Sequence, residues 1–155
     1  MKTILIPTDF TLKSLDCIPS IVACNPSKKL KLVLVHVMKV TDSMQDLLML
    51  SRRSAEYKNI SEDFYNTCAV LKRTFTENIV SIEIEFFYGS TVAVFKDFLE
   101  THEVDEIIKP DQSYQLVHKM SIDPAALLGR CGYRVVNVRN YKTPVAEHSQ
   151  LEELV

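Results

Sequence analysis

Two periods alternate along this chain. Residues 3–7, TILIP, form a short apolar run rich in β-branched side chains and closed by proline, the pattern of a buried strand. Residues 30–37, LKLVLVHV, carry Leu32, Val33, Leu34, Val35 and Val37 almost without interruption. A strand apolar on both faces predicts a central position in a parallel sheet. In residues 81–89, SIEIEFFYG, Ile82, Ile84 and Phe86 alternate with Glu83 and Glu85. One face of that strand is partly wet, which predicts a place at the sheet edge. Residues 105–109, DEIIK, predict a short central strand. Residues 133–140, YRVVNVRN, predict a last one, with Val136 and Val138 on one face.

Between these runs the period lengthens to that of a helix. Leu12, Leu15, Ile18 and Val22 recur at steps of three and four. Pro19 interrupts that stripe, but with Asp16 as the N-cap it falls in the first turn, where proline costs little. Ile60, Phe64, Cys68, Leu71 and Phe75 mark a longer second helix. Val92, Phe95, Phe98 and Leu99 mark a third, capped at Ser90 or Thr91 and led in by Gly89. Asp123 then Pro124 reads as an acidic N-cap and a first-turn proline for a fourth, with Gly129 and Gly132 at its end.

The alternation of strand and helix predicts an α/β domain over residues 1–140: an open, Rossmann-like, five-stranded parallel sheet with helices on both faces. The polar tail, 141–155, holds Pro144 and reads either as disordered or as a short helix.

Composition narrows the partners. The chain has 155 residues, 46% hydrophobic and 25% charged, with a formal net charge of -2. That balance fits one globular domain with a proper core. It offers no basic run for a nucleic-acid backbone and no apolar stretch long enough to cross a bilayer. The first residues, MKTILIPTDF, lack the apolar length of a secretion signal. A cytoplasmic location is the resulting expectation. Cys17, Cys24, Cys68 and Cys131 form no CxxC pair and read as small reduced hydrophobes.

The segments ILIPTDF (4–10) and LVLVHV (32–37) resemble the first two strands of the universal stress protein family. FYGSTVAVFKDFLETHEVDEII (87–108) and YRVVNVR (133–139) resemble its third helix, fourth strand and closing strand, so the resemblance spans about residues 1–140. It implies an adenine nucleotide alpha hydrolase-like sheet in the order 3-2-1-4-5, with homodimers formed through the fifth strand, here Arg134, Val136 and Val138. ATP-binding members carry Gly-x-x-Gly, nine residues, then Gly and Ser or Thr. Those positions fall on Pro110, Ser113, Asp123 and Pro124, and all four depart from the pattern. A phosphate cradle needs converging backbone N–H groups and no Cβ in the way. Pro110 and Pro124 have no N–H, and Asp123 puts a like charge at the helix start. ATP is therefore not expected as a cofactor.

Other residues have two readings each. The resemblance puts Thr8 and Asp9 beside an adenosine, and Val37 and Met38 against an adenine ring. The favoured readings are plainer: Asp9 as a helix cap or an ion-pair partner, and Val37 and Met38 as simple core. Lys109, His118 and Lys119 could receive an anion, or form a solvated loop balanced by Asp111 and Asp123. His36, inside an apolar strand, is a pH sensor or a buried, hydrogen-bonded histidine. No metal-ligand spacing and no nucleophile motif is present, so no catalytic residue is named.

These readings predict a non-catalytic stress-protein-like module acting as a homodimer with an unknown protein partner, without nucleic acid or membrane. The alternative is a small-molecule sensor holding a nucleoside or nucleoside monophosphate at the carboxyl ends of the strands. An enzyme of related fold is a third class, which fold alone does not support.

Overall fold

The computed structural model describes residues 1–38, 60–89, 91–109 and 123–137. Five strands form one parallel sheet: β1 (Lys2–Pro7), β2 (Leu30–Met38), β3 (Ile79–Tyr88), β4 (Glu106–Lys109) and β5 (Val135–Asn137). Their spatial order is β3-β2-β1-β4-β5. Among the described residues four α-helices accompany them: α1 (Ile18–Cys24), α2 (Glu62–Thr74), α3 (Val92–Thr101) and α4 (Ala125–Arg130). The strand order and the helical layers agree with the expected open α/β fold.

The sheet divides two cores, and strand alternation decides which side chain enters which. Ile4, Ile6, Leu32 and Leu34 face α1 and α2, meeting Ile18, Ile21, Phe64 and Cys68. Leu5, Val33, Val35 and Val37 face α3 and α4, meeting Phe95, Leu99, Leu127 and Leu128. The unbroken apolar run of β2 is thus explained, because both its faces are covered. β3 alternates as an edge strand does: Ile82, Ile84 and Phe86 pack on the first core, while Glu83 stays open enough to pair with Lys31 at 3.3 Å. Register follows the same logic, with Lys2 opposite Leu30 and Pro7 opposite Val35.

Local capping separates the helices from the loops. The Ser61 side chain accepts the Phe64 N–H at 3.1 Å at the start of α2. Thr91 does the same for Val94 at 3.4 Å at the start of α3.

Two helix starts differ from expectation. The stripe from Leu12 to Val22 is two elements: a 3-10 turn, Leu12–Leu15, then α1. Asp16 closes the turn through its N–H to the Lys13 carbonyl, and Cys17 stands at the cap of α1. The 3-10 turn intervenes because Ser14 bonds the Thr11 carbonyl at 2.7 Å, a local bond that competes with helix propagation. Pro19 does fall in the first turn. At α4, Pro124 takes the cap position with helical dihedrals, φ -75° and ψ -4°, and Asp123 lies one residue before it. Gly129 lies inside α4, and Gly132 beyond it has φ +75°, the left-handed conformation that ends a helix.

Candidate functional site

Because all five strands run parallel, their carboxyl ends share one edge of the sheet, where open α/β folds place ligands. Thr8 and Asp9 follow β1, Val37 and Met38 end β2, Lys109 ends β4, and Asp123 and Pro124 precede α4. Pro110, Ser113, His118 and Lys119 lie outside the described residues.

The corner after β1 is closed by its own side chains. Thr8 is fully buried, and its hydroxyl lies 2.7 Å from that of Ser14. The same Thr8 oxygen accepts the Phe10 N–H at 3.1 Å. The Asp9 carboxylate accepts the Thr11 N–H at 3.1 Å, and the Thr11 hydroxyl donates to the same oxygen. This is an Asx turn, in which an aspartate side chain bonds backbone two residues on. Asp9 is 4% exposed, so its carboxylate serves the turn.

Phe10 has φ +63°, a left-handed conformation that costs a side chain such as phenylalanine roughly 1–3 kcal/mol. Aromatic packing offsets it. The Phe10 ring lies 4.7 Å from His36, 5.6 Å from Phe64 edge-on and 5.5 Å from Phe86, centroid to centroid. Each such aromatic contact contributes about 0.5–1.5 kcal/mol beyond area burial. His36 is 1% exposed, and its Nδ1 lies 2.8 Å from the Thr8 carbonyl oxygen. A carbonyl only accepts, so Nδ1 carries the hydrogen. The histidine thus ties the end of β1 to β2, the bonded reading of the two.

Val37 is 1% exposed and Met38 3%. Val37 belongs to the core beneath α3 and α4. Lys109 is exposed. The Asp123 carboxylate accepts the Ala125 N–H at 2.9 Å, across the start of α4. Arg134 and Val136 lie at β5, the edge opposite β3, and Val138 lies outside the described residues. Among the described residues no group of three or more metal-ligating side chains comes together. No helix among them is long and apolar enough to cross a membrane.

Known structures share this arrangement. UspA, a universal stress protein from Lactobacillus plantarum, aligns over 88% of this chain and 96% of its own at 15% identity, with a TM-score of 0.57. The chain has the UspA fold. The hypothetical proteins PH0823 and MJ0577 align over the same 88% of this chain, each over 94% of its own length and at 18% identity, with TM-scores of 0.54 and 0.51. No family model and no curated protein matches the sequence.

Within the UspA-like fold, sequence reasoning picked out Thr8, Asp9 and Asp123 but passed over Phe10, Phe86 and Ser14. The alternation of β3 marked Phe86 as inward-facing. Nothing in the sequence shows that the Phe10 backbone turns left-handed, because that follows from the packing of its ring against strands far along the chain.

Proposed function

We propose that this chain is a UspA-like regulatory module that does not hold a nucleoside triphosphate and acts as a homodimer through protein contacts. The observation that carries the reading is the Asp123 carboxylate on the Ala125 N–H at 2.9 Å. In a sheet of this kind, phosphate is received by free N–H groups at a helix start. Here one N–H is taken by a carboxylate and the preceding residue, Pro124, has none to offer. The carboxylate also repels an incoming phosphate in a cleft where charges are poorly screened.

Two further features support it. Asp9 is committed to the Thr11 turn, and Val37 lies within the core. Fold likeness by itself assigns no ligand.

Native mass spectrometry of the full chain, alone and with magnesium-ATP at about 1 mM, tests this reading; a Kd of that order corresponds to about -4 kcal/mol. The expected spectrum shows a dimer with no nucleotide adduct. A stoichiometric ATP adduct would overturn it. An adduct of AMP or adenosine alone would transfer the assignment to the sensor alternative.

A further inference from the structure

At the opposite, amino end of the sheet, three charged residues converge in a cleft of about 480 Å³ that the reading above does not use. Lys2 starts β1, Glu106 starts β4 and Arg134 precedes β5. Each is two residues before a side chain of the first core, namely Ile4, Ile108 and Val136. Strand alternation therefore sets all three on the face covered by α1. Asn25, at the end of α1, closes the cleft from above, and Val135 and Val136 line it.

Both cations meet the same oxygen. Lys2 Nζ lies 3.3 Å from Glu106 Oε2, and Arg134 Nε lies 3.5 Å from it. Lys2 also reaches Asn25 Oδ1 at 3.4 Å, while the Asn25 amide donates to the Ile21 carbonyl at 2.8 Å. The Glu106 side chain is 2% exposed, the Lys2 side chain 20% and the Arg134 side chain 76%.

A buried carboxylate needs a counter-charge, and one cation provides it. The second leaves the cluster with an excess positive charge, carried by the residue that faces solvent. A guanidinium has five N–H donors, of which a single contact at 3.5 Å consumes one. The Arg134 donors are cationic and face solvent, the carboxylate is buried, and the Val136 side chain lies on the same face of the sheet.

We propose that this cleft is an anion site that receives the phosphate of a small organic phosphate monoester. The Arg134 fork and the Lys2 ammonium take the oxygens, and the organic body rests on Val136. Arginine's planar fork suits phosphate bidentately, and Lys2 adds a point charge.

The test is a nitrogen-15 NMR titration of the full chain with phenyl phosphate, and separately with inorganic phosphate, at constant ionic strength. Saturable shifts of the Lys2, Asn25, Glu106 and Arg134 amides are expected, tighter for phenyl phosphate. Arg134→Gln should weaken binding roughly tenfold or more. Lys2→Gln should act in the same direction and carries the test if the Arg134 variant loses its spectral dispersion. Glu106→Gln removes the only carboxylate of the triad and should bind at least as tightly. Shifts that chloride reproduces, shifts centred on Asp9 and Asp123, or unchanged affinity in both cation variants would each overturn the proposal.

Discussion

At the scale of single residues, burial decides chemistry. Burial pushes the Cys68 thiol up to about 11, so it stays protonated through the neutral range. The thiolate is the nucleophile, so Cys68 is inert where Cys24, which is exposed, can react. The raised value also links to stability. The native state holds its proton where the unfolded chain, near about 8.5, has lost it. Stability is therefore complete below that pH and falls as pH rises toward about 11. The urea midpoint is expected to fall between pH 8 and pH 10, and Cys68→Ala should flatten that slope relative to the parent. An equal slope in both would assign the loss to lysine or tyrosine titration. The sequence marked Cys68 as an inward position of α2, and that much was legible from helical spacing alone. It favoured a buried, hydrogen-bonded His36 over a pH sensor but named no partner. The partner is the Thr8 carbonyl, 28 residues away in the chain, to which only the folded sheet gives access.

At the scale of elements, backbone geometry at the junctions matters most. Between β3 and α3, Gly89 has φ +154°, and its N–H donates to the Met38 carbonyl at 2.9 Å. A Cβ there would lie 3.3 Å from Phe87 Cζ. That ring cannot easily yield, because it packs on Phe95 and Phe98, both with centroids at 5.2 Å. Gly89→Ala is expected to cost roughly 1–3 kcal/mol, the range for a side chain held in a backbone region that glycine occupies freely. Chemical denaturation measures it; a loss under about 0.5 kcal/mol, typical of a neutral surface change, would show that the junction relaxes. The sequence indicated Gly89 as a lead-in to a helix. It did not indicate the split between the 3-10 turn and α1, because apolar spacing of three and four is shared by one bent helix and two short ones. The hydroxyls of Thr8 and Ser14 settled that difference, meeting each other while Ser14 donates to the Thr11 carbonyl.

At the scale of the molecule, the sheet has two edges, β3 and β5. β5 spans only three described residues, and Val135 and Val136 remain half-buried there. If two copies pair through this edge, proline at its centre removes a ladder donor and should convert a dimer to a monomer. Sedimentation of Val136→Pro tests this, with circular dichroism to verify that the domain persists. A folded variant that remains dimeric would locate the interface elsewhere.

What the sequence by itself determined is the layered α/β architecture. Strand and helix periods are local, and the unbroken run of β2 against the alternation of β3 already separates a centre from an edge. It also placed a charged aspartate and a proline without an N–H at positions 123 and 124, and those properties act wherever the residues stand. What only the tertiary structure decided is which polar groups meet. Glu106 lies three β-α crossings from Lys2 in the chain and beside it in space. Residues so far apart in sequence are joined by strand order and register, and no local period encodes either.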